Sequence, residues 1–168
     1  NRQQYDQALQ LLESLEKGGK VTPDVRRLKI KVLAKSGKPL DALAEYDALV
    51  PSGKSEDRPL LREVSFGFII PMLKDMRDQM RGAGYTALKE IDSEEMVPYF
   101  EDGLSDGSGM IRALVVEGLG QLKAGQRSPR LKQALEDPAG QVRANALKGL
   151  ARTGDPAIVS VAEKYLGD

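Results

Sequence analysis

The chain has no cysteine, no histidine and no tryptophan. These absences exclude disulfides, thiolate nucleophiles, imidazole bases and Cys/His zinc sites from its 168 residues. Aromatics make up only 5%, so small and aliphatic side chains must fill any core. No apolar run reaches the roughly 18 residues that a spanning helix needs, and no signal peptide is visible. Neither charge sign dominates: 25 basic and 25 acidic residues leave a formal net charge of +0. That balance argues against nucleic acid as a partner, because polyanion binding rests on uncompensated Lys and Arg. Hydrophobic residues at 40% and charged residues at 30% describe a soluble, foldable chain, and the compartment, cytoplasmic or periplasmic, is left open. It starts at Asn1, without methionine, in a helix-like segment. It therefore reads as part of a longer or processed protein, with any targeting signal elsewhere.

What the sequence does have is a 31-residue period. Asp75, Asp106, Asp137 and Asp168 are each one step apart, as are Arg81, Arg112 and Arg143. Leu73, Leu104, Leu135 and Leu166 follow the same step, and so do Leu88, Leu119 and Leu150. A stack of similar helical units explains such regularity, because each unit buries its apolar face against its neighbours. Ile111, Leu114, Val115 and Leu119 mark one helix face after the N-cap candidates Asp106 and Ser108, with Gly125 as the stop. A second helix is expected over 128–136, with Pro129 in its first turn. The next unit repeats the plan with helices over 140–152 and from Pro156 onward. The earlier unit places helices over 75–91 and 94–104, with Gly82 and Gly84 implying a kink or close packing. Leu60 to Leu73 reads as a partial unit whose FGFII run is expected to be buried on both sides.

The segment DPAGQVRANALKGLARTGDPAIVSVAEKYL, from Asp137 to Leu166, resembles a HEAT repeat of the short bacterial type. Its Asp-Pro opening, Val-Arg helix start and Gly-Asp-Pro turn carry the likeness, which extends through 106–135 and in part through 75–104. In the N-terminal third, Ala8 and Ala42, Leu12 and Tyr46, and Leu15 and Leu49 are 34 residues apart. The segment TPDVRRLKIKVLAKSGKPLDALAEYDALV, from Thr22 to Val50, resembles a tetratricopeptide unit. Together the resemblances imply an all-α solenoid, a right-handed superhelix of antiparallel helix pairs. Tetratricopeptide-like helices over 1–53 would precede HEAT-like repeats over 54–168, with a partial unit at 60–74 and units at 75–105, 106–136 and 137–168. The stretch PSGKSEDRP, 51–59, is the one clear linker.

Three charged sets are candidate functional residues. Asp75, Arg81, Asp106, Arg112, Asp137 and Arg143 recur in register and suit a structural ladder, since a guanidinium can hold a carboxylate with two hydrogen bonds. Arg27, Lys31 and Lys35 form one helical stripe. The tetratricopeptide resemblance turns this stripe toward a concave groove, where it would hold an acidic peptide or a C-terminal carboxylate. Seven acids between Glu90 and Asp106 oppose four bases, Lys123, Arg127, Arg130 and Lys132. Either the two sets neutralise each other, or Arg127 and Arg130 help form a bipolar binding surface. Ser105 to Gly109 is glycine-rich, but it has no P-loop lysine and reads as a capped turn.

No spacing singles out an acid/base pair, and neither cofactor nor metal is implied. The expected function is a non-catalytic scaffold with a protein or peptide partner. The alternatives are an architectural spacer within a larger protein, or an enzyme or subunit like the HEAT-type lyases that attach bilins.

Overall fold

Helical periodicity becomes ten α-helices, with no strand among the described residues. They are α1 (Arg2–Lys17), α2 (Pro23–Lys35), α3 (Pro39–Leu49), α4 (Arg58–Met72), α5 (Asp78–Ile91), α6 (Val97–Gly103), α7 (Gly109–Gln121), α8 (Lys123–Gln126), α9 (Pro129–Gln133) and α10 (Gly140–Ala151). Short 3₁₀ turns occupy Glu94–Met96 and Ala134–Glu136. The computed structural model describes residues 2–51, 55–156, 158, 160 and 161. Leu166, Asp168 and most of the helix expected after Pro156 lie outside the described residues. No helix among them is long and apolar enough to cross a membrane.

The chain divides into two compact units, 1–71 and 72–168, rather than at the 53/54 boundary read from sequence. The reason is α4. Its Leu60 and Val64 complete the first unit's core with Leu9, Ile30, Leu33, Ala34, Ala42 and Tyr46. Gly67 lets α4 approach closely, since a Cβ there would meet the Ala34 carbonyl at 3.0 Å. Within this unit α2 packs against both α1 and α3. Local chemistry sets its ends. The Thr22 hydroxyl accepts from the Val25 amide at 3.3 Å and Pro23 opens the first turn. At the far end Gly37 adopts φ +83°, and the Lys38 amide closes back on the Leu33 carbonyl at 3.0 Å. The FGFII run is not buried on both sides: Phe68 is exposed and Ile69 and Ile70 are only half-buried. The core takes Leu60, Val64 and Gly67 instead, one stripe of α4.

The second unit is organised around α7, which packs against both α5 and α10. The starts of these three helices, Asp78, Gly109 and Gly140, repeat the 31-residue step. Ile111, Ala113, Val115, Val116, Gly118, Leu119 and Gly120 are all buried, so α7 is enclosed on most sides. Burying each large aliphatic side chain contributes about 1.5–3 kcal/mol. Tyr85 and Phe100 stack at 6.2 Å beside it, and the bare Gly118 makes room for the Phe100 ring. Gly125 does not end the chain's helical course as expected; it lies within α8, where a side chain would strike the Leu119 backbone. Gly84 serves close packing, since a Cβ there would lie 2.8 Å from Leu73.

A backbone-to-backbone approach joins α7 and α10. A Cβ on Gly149 would sit 2.9 Å from the Gly120 Cα, and one on Gly120 would sit 2.7 Å from the Gly149 Cα. The obstacle is backbone, so no rotamer change relieves it. Gly149→Val is therefore expected to destabilise the chain by about 1–3 kcal/mol. Gly107→Ala, with open space around the new methyl, should change little. Thermal unfolding of the two variants checks this, and equal melting temperatures would refute the close-packing account.

Candidate functional site

Each 31-residue step in the second unit places an aspartate just before a helix and an arginine in that helix's first turns. In Asp106 the carboxylate accepts from the Ser108 amide at 2.8 Å; in Asp137 it accepts from the Ala139 amide at 2.8 Å. These are side-chain-closed turns. Ser108 holds the N-cap position without a side-chain bond, so neither Asp106 nor Ser108 caps α7 in the usual way. Both carboxylates stay open to the preceding unit. Arg81 reaches Asp106 with Nε at 2.6 Å and a terminal nitrogen at 2.9 Å. Arg112 reaches Asp137 in the same way, at 2.7 and 2.9 Å. The other terminal nitrogen donates to the unit's own turn: Arg81 to the Asp75 carbonyl at 2.9 Å, Arg112 to that of Asp106 at 2.8 Å, Arg143 to that of Asp137 at 3.0 Å. The residue one step beyond Asp137, Asp168, lies outside the described residues.

Asp75 differs. Its carboxylate receives the Arg77 side chain through two contacts of 2.9 Å, and the Arg77 amide at 2.9 Å. Arg77 occupies the place of Ser108 and Ala139 in the next units, so here the turn supplies its own guanidinium. Those hydrogen bonds hold the Asp75 carboxyl well below the usual carboxylate range. Arg81 and the Ser108 amide lower the Asp106 pKa against the opposing effect of burial. Arg112 and the Ala139 amide do the same for Asp137.

The acidic and basic stretches between 90 and 132 also meet across one step, but largely through neutral groups. Glu94 accepts from the Lys123 and Ala124 amides at 3.0 Å each, closing the start of α8. Glu101 accepts from the buried Ser128 hydroxyl, which in turn accepts from the Arg130 amide at 3.2 Å. The Arg130 guanidinium lies 3.4 Å from the Ser105 hydroxyl, whereas Arg127 is exposed.

In the first unit, two bases of the Arg27, Lys31 and Lys35 stripe meet carboxylates of the chain itself. Arg27 donates twice to Asp57, at 3.1 and 2.9 Å, and Lys35 lies 3.7 Å from Glu63. Asp57 belongs to the expected linker, yet it is anchored three ways. It caps α4 by accepting from the Leu60 amide at 3.2 Å, and its own amide donates to the Tyr46 hydroxyl at 3.1 Å. Lys31 stays exposed at the middle of the stripe, beside Leu28, which is 53% exposed. On the other side of α2, Lys29 joins Glu16 of α1 at 2.8 Å to Glu45 of α3 at 2.7 Å. Burial pushes the Lys29 ammonium down, but the two carboxylates outweigh it and its pKa is raised.

The structure thus brings Asp75, Arg81, Asp106, Arg112, Asp137 and Arg143 to one row, and it leaves Lys31 and Arg127 open to solvent. The sequence reading passed over Asp57, Lys29, Glu16 and Glu45, and it took Glu94 and Glu101 only as members of the acidic stretch. The partners of Asp57, Lys29, Glu16 and Glu45 on other helices are 11 to 30 residues away, with no repeat to reveal them. No group of three metal-ligating side chains converges among the described residues.

Arg112→Ala is expected to lower stability by about 1–3 kcal/mol, the scale of hydrogen bonds to a charged group. Arg112→Lys should recover only part, because an ammonium cannot supply the two-pronged contact. The Asp106 and Asp137 pKa values are lower in the folded chain than in the unfolded one. Their stabilisation is therefore full above the unfolded value of 3.8 and is lost as pH falls through the folded value. Urea unfolding from pH 7 down to 2.5 should show a steeper acid decline in the parent chain than in Arg112→Ala. Parallel curves would remove the ladder from the stability argument.

No protein-family model matches this chain and no curated protein matches it, so its site is read from its own residues.

Proposed function

We propose that this chain is a non-catalytic protein-interaction scaffold. It is an α-solenoid with tetratricopeptide-like helices followed by HEAT-like units, presenting a concave surface, and the α2 face of Arg27, Lys31 and Lys35 receives an acidic protein segment. The observation that carries this reading is the exposed pair Leu28 and Lys31, framed by Arg27 and Lys35. Those two flanking bases already hold carboxylates of the chain itself, Asp57 and Glu63, so the face is chemically suited to acidic groups. Lys31 offers a further cation, and Leu28 offers apolar area that a neighbouring residue of the ligand can cover. The Arg–Asp rows support the scaffold reading in another way. They commit the repeated charges to joining units, as a structure built for rigid display requires. Arg127, exposed on the second unit, supplies a second basic contact.

The test separates binding from folding. Arg27→Glu would break the Asp57 anchor, so Lys31→Glu with Leu28→Glu is the informative bait. Affinity capture from native lysate with the parent chain should recover a specific acidic partner. The variant should retain the parent melting temperature and lose at least tenfold of that recovery. Equal recovery by both baits, or no specific protein with either, would favour an architectural spacer instead.

A further inference from the structure

Among the described residues, Nε of Arg26 on α2 is the one buried side-chain polar atom without a hydrogen-bond partner. Buried donors are nearly always paired, so this one singles Arg26 out. Arg81 and Arg112 show what full pairing looks like: each meets a carboxylate with two nitrogens, at 2.6 to 2.9 Å. Arg26 has only the Ala48 carbonyl, at 3.4 Å, and a Glu45 oxygen that stands 3.5 Å from Nε. The cause is Lys29. Its ammonium draws Glu45 to 2.7 Å and holds both oxygens of Glu16, at 3.0 and 2.8 Å. Glu45 is therefore divided between two cations, and Arg26 receives the weaker share.

Arg26 stands at one end of a cleft of about 490 Å³ formed by α1, α2, α3 and the turn between the last two. That volume suits a small molecule. Leu9, Leu33, Ala44 and Ala48 give the cleft its apolar surface. Away from Arg26 the charge changes sign. Asp41 lies near the start of α3, about 10 Å along the helix from Ala48, and Glu13 lines the α1 side. Neither carboxylate has a salt-bridge or hydrogen-bond partner among the described residues. Lys38, beside Asp41, offsets one of the two charges and leaves this end acidic.

We propose that this cleft binds a small ω-amino carboxylate, a zwitterion whose two charged ends are separated by a short apolar chain. The carboxylate meets the Arg26 guanidinium, whose planar fork suits a two-oxygen acceptor. Glu45 then turns wholly to Lys29, as Glu16 already does. The methylenes cover Leu9, Leu33 and Ala44, and the ammonium goes to Glu13 and Asp41. A phosphate or a dicarboxylate fits less well, because Glu13, Asp41 and Glu45 would repel its second charge. Leu28 and Lys31 lie on the other side of α2, so this site does not depend on the protein-binding face.

The probe is 6-aminohexanoate, titrated into the full chain and followed through backbone amide chemical shifts, with hexanoate and hexylamine as half-ligands. Saturable shifts are expected at the cleft residues of α1, α2 and α3, with a dissociation constant at least fivefold below that of either half-ligand. Arg26→Gln should raise the constant at least tenfold. Because that change also disturbs Glu45, Ala44→Phe is the second variant: it fills the cleft, touches no ion pair, and should abolish the shifts at an unchanged melting temperature. Glu13→Gln with Asp41→Asn should reduce 6-aminohexanoate to the level of hexanoate. Lys31→Glu with Leu28→Glu should bind the probe like the parent chain, which keeps this test apart from that of the α2 face. Absence of saturable shifts in the parent chain, or shifts that survive Ala44→Phe, would overturn the site. Hexanoate binding as tightly as the probe would overturn the zwitterion and leave a plain carboxylate site.

Discussion

A guanidinium shared between two consecutive turns is the interaction on which the second unit depends. Arg81 and Arg112 each bond the carbonyl of their own aspartate and the carboxylate of the next, so one side chain fixes both the start of its helix and the distance to its neighbour. The aspartate is prepared for this by a local turn that spends one lone pair on a backbone amide and leaves the others outward. Arginine is required because the planar fork meets both carboxylate oxygens at once, while its remaining nitrogen reaches the carbonyl. Burial would normally penalise such charges. Here every polar atom of the pair finds a partner, so the carboxyls stay ionised with lowered pKa values.

With spacing set by these pairs, small residues decide how near the helices come. Gly120 and Gly149 bring two backbones into contact, and Gly118 admits the Phe100 ring. In a chain with few aromatics and no tryptophan, such approach recovers dispersion that larger side chains would otherwise supply. The same economy applies in the first unit, where Gly67 seats α4 on Ala34. Among its described residues that unit shows no repeated rung. Singular contacts join its helices instead, with Lys29 between Glu16 and Glu45, Asp57 among Arg27, Tyr46 and the start of α4, and Lys35 beside Glu63.

How much of this was legible in the sequence follows from whether a pattern repeats. The period of 31 fixed the positions of α5, α7 and α10 closely, because helix starts at 78, 109 and 140 keep the same step. Thr22, Pro23 and Gly37 announced the ends of α2 because their effects act within four residues. Asp57 was hidden inside a polar, proline-flanked stretch whose composition suits a linker. Only the tertiary contact with Arg27 turns it into an anchor. The basic stripe was read correctly as one face of α2, but periodicity cannot say which neighbour that face meets.

The sequence by itself determined helical character, the repeat length and the row of arginines and aspartates, since each follows from short-range periodicity or from recurrence. It also excluded thiol and imidazole chemistry by composition alone. Tertiary structure decided the rest. It moved α4 into the first unit, because Leu60 and Val64 share a core with Ile30 and Tyr46. It occupied two of the three bases of the stripe, Arg27 and Lys35, with the chain's own carboxylates and left Lys31 exposed. It gave Asp75 an arginine from its own turn while Asp106 and Asp137 received theirs from the unit before. Burial and partnership are properties of the space around a residue, and a linear pattern specifies that space only where the pattern repeats.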